Sequence, residues 1–323
     1  MGIKGILLAL VLLVVVYSSF WANDQQQIFF ECAKLEEEIR KAEGFVGASS
    51  GPIYALDVLG ITQIDAAEKG ITSLEGMQYL SNLARLNLRN NRICDISPLK
   101  QLENLELLNL GSNQIKDITP VEGLIYLQWL LFERNQVEDI SPVQNLTNLK
   151  TLWFPWENQV HDITPVKNLT NLQSLGFSGN GVSDISALEN LTKLRDLHFS
   201  ANQVGDISPL QNLTNLRGLD FRHNQVRDIT PLKNLTNLER LNFWSNQVRN
   251  IGSLKGLTKL QSLNLRGNLV SDISALVANS GLGTDDEIDI RENYLDLHAG
   301  SKAIHEITAL VERGANVLYD PQK

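Results

Sequence analysis

Acid–base chemistry in this chain would have to begin at His198 and Asp220, a histidine and a carboxylate 22 residues apart. A carboxylate that orients an imidazole can make it a base for a hydroxyl or thiol nucleophile. Arg222, His223, Arg240 and Trp244 accompany the pair, but no activated nucleophile does. A catalytic reading therefore fails, and a charged patch remains, either salt-bridged surface or the rim of a binding site. Other chemistry is weaker still. No His/Cys group has zinc-ligand spacing. GLGTDDE lacks the lysine and the frame of a phosphate loop. Asp95, Asp117 and Asp139 recur singly without partner carboxylates, which suits turn capping better than calcium. No cofactor or metal is expected. Cys32 and Cys94 are too few for a disulfide framework, and two unlinked thiols is the simpler reading.

The residues that must position this patch form a repeat. Asn91, Asn113, Asn135, Asn158, Asn180, Asn202, Asn224, Asn246 and Asn268 follow one another at intervals of 22 residues, with a single 23 before Asn158. Each closes the frame L-x-x-L-x-(L/F)-x-x-N-x-(I/V)-x-D-I-(S/T)-(P/A)-(L/V), of which LTNLRGLDFRHNQVRDITPLKN is a clean copy. The alternating L-x-(L/F) segment predicts a short strand with one buried face. Its neighbour is the same segment one repeat later, so pairing is parallel and in register. Asparagine at the bend can bond turn backbone within and between repeats. Asp and Ser/Thr then satisfy local amides, and Pro suits the first turn. The return path is too short for a long helix, so extended chain and 3-10 turns are expected. Phe132, Phe154, Phe177, Phe199, Phe221 and Phe243 fall on the inward strand position and should stack as a core spine.

Both ends depart from the repeat, as solenoid caps must. CAKLEEEIRKAEG predicts an amphipathic helix with Cys32, Leu35 and Ile39 on one face and Gly44 closing it. PIYALDVL predicts a second short helix, and Ile61, Ile64 and Ala66 a degenerate first repeat with Lys69 in the asparagine position. EIDIREN keeps the frame at Ile288, Ile290 and Asn293. SKAIHEITALVERG predicts a terminal helix capped by Ser301 and Gly314, with VLY as a final edge strand. The expected organisation is an N-terminal segment at 1–22, a helical cap at 23–60, the repeat array at 61–276 and a C-terminal cap at 277–323.

The unit with N-Q-(I/V)-x-D-I-(S/T)-P-L resembles the internalin-type leucine-rich repeats of bacterial surface and secreted proteins over about Ile61 to Leu295. The N-terminal helix followed by GPIYALDVLGITQIDA and the terminal GANVLYDPQ are similar to the caps of such proteins. The resemblance implies an α/β solenoid: a leucine-rich-repeat horseshoe with a parallel concave β-sheet, 3-10 or extended convex segments, a helical N-terminal cap and a helix-containing C-terminal cap. It also implies export and protein binding on the concave face. YDPQK is not a wall-sorting tail, so covalent wall attachment is not expected.

Composition agrees with a binding protein. A net charge of −9 without a dominant basic cluster argues against nucleic acid. Lys4 precedes the apolar run Ile6 to Val16, which suits a signal peptide cut after Ser18, or an anchor spanning Ile3 to Ala22 with Trp21 at the interface. Either places the body outside the cytoplasm, in the bacterial envelope or secreted, with membrane contact through that segment alone. The second reading is an intracellular scaffold like the phosphatase-regulator proteins with 22-residue repeats, which the apolar N-terminus opposes. Five N-L-T sequons, at Asn145, Asn168, Asn190, Asn212 and Asn234, belong to the repeat consensus.

Outward strand positions carry the candidate site. Trp129, Trp153 and Trp244 occupy such positions, and Trp156 lies in the PWEN segment that carries the extra residue. Leu107, Trp129, Leu131, Trp153 and Trp156 should form one contiguous apolar surface. A buried tryptophan contributes roughly 150–250 Å² of contact, and exposed patches of this kind mark interfaces. The alternative is that these rings shield strand edges and stack on one another. His198, Asp220, Arg222, His223 and Arg240 form the polar half, with Trp244 at their side. A monomer with a protein or glycan ligand on this face is the expectation.

Overall fold

A computed structural model describes residues 26–323 of the chain. The expectations for residues 1–22 lie outside the described residues. Two short strands, β1 (Gln27–Ile28) and β2 (Ile53–Tyr54), pair antiparallel beside helices α1 (Ala33–Lys41) and α2 (Ala55–Val58). There follow β3 (Gln63–Asp65), β4 (Arg85–Asn87), β5 (Leu107–Asn109), β6 (Trp129–Leu131), β7 (Thr151–Trp153) and β8 (Ser174–Gly176). The series continues with β9 (Asp196–His198), β10 (Gly218–Asp220), β11 (Arg240–Asn242), β12 (Ser262–Asn264), β13 (Glu287–Asp289) and β14 (Asn316–Leu318). Strands β3 to β14 make one twelve-stranded sheet in sequence order, all parallel. Between the repeat strands the chain returns through 3-10 turns such as Ser97–Leu99 and Thr164–Asn168. A single α-turn, α3 (Ser274–Val277), replaces the last of these. Helix α4 (Lys302–Glu312) precedes the final strand.

Register puts like on like. Leu130 pairs with Leu152 and Leu152 with Leu175, so the buried middle residue of every strand forms one row. Behind it the six phenylalanines are fully buried, with successive ring centroids 5.2 to 6.2 Å apart. The asparagine ladder locks this stack. Asn135 donates to Leu110 O (3.0 Å) and Phe132 O (3.0 Å) and accepts from Ile115 N (2.9 Å), tying its own turn to the previous repeat. An unsatisfied buried amide costs about 1–3 kcal/mol, which is why this residue type recurs at each bend. The repeated aspartates cap turns: Asp95 Oδ1 accepts Ser97 N at 2.8 Å, and Asp117 accepts Thr119 N at 2.7 Å. The Thr119 hydroxyl and amide hold the Asp117 carboxyl below the usual range.

The caps close the open ends of the core. Helix α1 buries Leu35 and Ile39, and the chain turns at Gly44 with φ +91°. The second cap helix is shorter than the sequence predicts. Only Ala55–Val58 is helical, because Ile53–Tyr54 is drawn into pairing with Gln27–Ile28. Asp57 Oδ2 accepts Tyr54 N at 2.8 Å and starts the turn. At the other end Ser301 Oγ accepts Ile304 N at 3.3 Å, and Gly314 follows α4 with φ +95°. The segment VLY does add the last strand, β14. Asn293 keeps the ladder there, donating to Leu265 O and Ile290 O. Cys32 is buried, Cys94 is exposed, and the two are not bonded.

Candidate binding surface

The first and third residues of each strand point away from the core, onto the concave face. Leu107 faces Trp129 across β5 and β6, and Leu131 faces Trp153 across β6 and β7. All four are partly buried rather than fully exposed. The tryptophans lie down on their neighbours. Lys150 Nζ stands 5.5 Å from the Trp129 ring. The Trp153 ring covers Gly176, where an added Cβ would meet its Cε3 at 2.4 Å. Trp156 lies in the same way over Gly179, whose φ is +67° and where a Cβ would meet the ring at 2.1 Å. These glycines leave the floor on which the rings rest.

The extra residue of the 23-residue repeat is absorbed at Trp156 and Glu157, both at positive φ (62° and 61°). Arg134 N donates there to both Pro155 O (3.1 Å) and Trp156 O (3.0 Å). Trp156 is left 41% exposed, the most exposed of these indoles. Trp156 takes the left-handed position that Asn90, Ser112, Arg134, Ala201, His223 and Ser245 hold in other repeats, and Glu157 is the residue added after it.

Sequence reasoning separates an apolar cluster from a polar one. The structure joins part of each. Trp153 meets His198 edge to face, with centroids 5.2 Å apart at 65°. A shallow pocket of about 330 Å³ is lined by Trp153, Pro155 and Trp156 on one side and His198, Asp220 and Arg222 on the other, with Arg89, Glu133, Arg134, Ser178 and Ser200 completing it. Arg240 stands outside this pocket and pairs with Asp196 at 3.0 Å. Trp244 also stands apart, between His223 (4.5 Å) and the Arg266 guanidinium (5.3 Å). Leu107, Trp129 and Leu131 do not line this pocket.

His198 and Asp220 are register partners on β9 and β10. Among the described residues no hydrogen bond joins their side chains. Asp220 Oδ1 instead accepts Arg222 N at 3.2 Å, and Oδ2 lies 3.6 Å from Arg222 Nε. Burial lowers the His198 pKa, against the pull of Asp220 and Asp196. The imidazole forms part of the pocket wall, and among the described residues no carboxylate hydrogen-bonds to it. Glu133 and Arg89 joined the site unannounced by sequence reasoning. The signal for the ring platforms was present: a glycine stands one repeat downstream of both Trp153 and Trp156.

The family model for leucine-rich repeats (two copies) matches residues 81–123, 170–212, 192–234, 214–251 and 236–278. An internalin (inlF) from Listeria monocytogenes is 30% identical, with 91% of this chain and 96% of that chain covered and a TM-score of 0.62. Internalin C2 (inlC2) from Listeria monocytogenes is 36% identical, covering 65% of this chain and 92% of that one, also at a TM-score of 0.62. The ectodomain of the membrane receptor kinase GASSHO1/SCHENGEN3 from Arabidopsis thaliana is 25% identical over 68% of this chain and 28% of that chain, with a TM-score of 0.59. The sheet, the asparagine ladder and these identities over nearly the whole of two internalins lead to one conclusion: the chain belongs to the internalin-like leucine-rich-repeat proteins.

Proposed function

We propose that this chain is an exported, non-catalytic module that binds a protein partner on its concave face. The observation that carries the proposal is the group Trp129, Leu131, Trp153 and Trp156. The inward leucine and phenylalanine rows already fill the core, so the fold has no need of these four. Tryptophan flanked by arginine is the composition of interface hot spots. The charged residues Asp220, Arg222 and Arg240, with His198 and Trp244, extend the surface toward the C-terminal repeats. A protein of similar fold, the GASSHO1/SCHENGEN3 ectodomain, has its structure in complex with CASPARIAN STRIP INTEGRITY FACTOR 2. Export rests on Lys4 and the apolar run Ile6 to Val16. Among the described residues no helix is long and apolar enough to cross a membrane.

The test uses the full chain expressed in its own cells. Fractionation should recover it from the envelope or the medium. The chain should capture a specific protein there, and a Trp129→Ala/Trp153→Ala variant with an unchanged circular-dichroism spectrum should lose it. Recovery from the cytosol would overturn export. Equal capture by the variant would remove the tryptophan surface from the reading.

A further inference from the structure

The asparagine ladder has one more rung than the repeats supply. Asn293 shows what a rung does. Its Nδ2 donates to Leu265 O (3.0 Å) in the repeat before and to Ile290 O (3.1 Å) three residues back, and its Oδ1 accepts from Val270 N (3.0 Å). Gln322 makes the same set of bonds one layer further on. Its Nε2 donates to Ile290 O (3.2 Å) and to Tyr319 O, three residues back. Its Oε1 accepts from Leu295 N (3.3 Å) and Asn293 N (3.1 Å). This rung is a glutamine and follows Asn293 by 29 positions, so neither residue type nor spacing announces it. The chain around it lies across the last turn of the array. Pro321 O accepts from Glu292 N (2.7 Å), Lys323 N donates to Asn293 O (2.8 Å), and Lys323 Nζ donates to Asn268 O (3.1 Å).

This segment reaches the concave face through one residue. Glu292 donates its backbone N–H to Pro321 O, and its carboxylate accepts from the Arg266 guanidinium. Arg266 in turn lies 5.3 Å from the Trp244 ring, which also meets His223 at 4.5 Å. The end of a solenoid is where fraying begins, because each unit is held only by its neighbours. Without Gln322 the part-buried amides of Asn293 and Leu295 would lose their acceptor. We propose that Tyr319–Lys323 is a strap, with Gln322 as the terminal rung. It closes the last repeat and, through Glu292 and Arg266, sets the position of Trp244 at the C-terminal end of the concave face. Release of the strap frees that end and leaves Trp153 and Trp156 as they are. The strap is a property of the fold and stands or falls apart from whether the concave face binds a partner.

Amide hydrogen exchange and indole N–H resonances, both read by NMR on the full chain, test it. Gln322→Ala should speed exchange of the Asn293 and Leu295 amides about tenfold or more, because local opening sets the rate there. It should also shift the Trp244 indole resonance, which Trp244→Phe assigns. The Val182 and Val204 amides, held by the Asn202 and Asn224 rungs, should exchange as before, since repeats couple to their nearest neighbours. Lys323→Ala keeps the rung and should leave the Asn293 and Leu295 amides protected. Glu292→Ala also keeps the rung but cuts the link to Arg266, so it should shift the Trp244 indole with both amides still protected. Unchanged exchange at Asn293 and Leu295 in Gln322→Ala would overturn the strap. So would a rise spread evenly over the repeats, which marks loss of the fold as a whole, or a Trp244 indole indifferent to Gln322→Ala or to Glu292→Ala.

Discussion

Replacing Asn202 by alanine removes one rung of the ladder that holds the repeats together. Its Nδ2 donates to Phe177 O (3.1 Å) and Phe199 O (3.0 Å), and its Oδ1 accepts from Val182 N (3.0 Å). The losses are unequal. Phe177 O keeps its bond from Asn180 (2.9 Å), and Phe199 O keeps its bond from Asn224 (3.0 Å). Only the Val182 amide is left buried without an acceptor, at about 1–3 kcal/mol. Each carbonyl loses one of two bonds, at about 0.5–1.5 kcal/mol apiece. The expected destabilisation is therefore about 2–6 kcal/mol. Asn215 provides the control. It makes a single exposed bond to Thr192 O (2.8 Å), so Asn215→Ala should cost less than about 1 kcal/mol. Urea unfolding followed by circular dichroism measures both, with the slope checked for a change in cooperativity, since a stack of repeats can unfold piecewise. Equal costs for the two variants, or less than about 1 kcal/mol for Asn202→Ala, would refute the ladder as the source of inter-repeat stability.

Three further outcomes follow from the same geometry. Phe199→Ala, which opens a hole in the middle of the stacked spine, should cost about 3–5 kcal/mol in the same unfolding assay. Gly176→Ala should displace the Trp153 ring and cost about 1–3 kcal/mol, with a shift in tryptophan emission as the readout. His198 should make stability pH-dependent in the acid direction. Burial depresses its folded pKa, so on acidification the unfolded chain takes the proton first. Its contribution is complete above the unfolded value near about 6.5 and is lost as pH falls through the folded value. His198→Gln should flatten this loss, measured as urea midpoints on either side of that window; an unchanged slope would refute it.

The solenoid was legible because its causes are local and repeated. The Leu/Phe alternation sets the strand, the asparagine at fixed spacing sets the bend, and Asp-Ile-Ser/Thr-Pro sets the return turn. Each signal is independent of what lies across the sheet, and nine copies make it unambiguous. The cap at Pro52 to Val58 was read less well, since the helix pattern there competes with strand pairing to Gln27–Ile28, a contact that spacing does not reveal. Outward strand positions named Trp153, His198 and Asp220, the irregular PWEN segment named Trp156, and the four meet in one pocket. What spacing alone left open was how the rings lie. Their place over Gly176 and Gly179 depends on the space that the two glycines leave. Glu133 was equally hidden, because its place in the pocket comes from Gly111 beneath it.

Hydroxyl-radical footprinting of the full chain, free and bound to the partner it captures, bears most directly on the concave face as the binding face. Trp153 and Trp156 should be protected in the complex, while Tyr54 and Tyr126, both exposed and off the strand rows, should be oxidised as before. Protection of Tyr54 or Tyr126 with Trp153 and Trp156 unchanged would contradict the account.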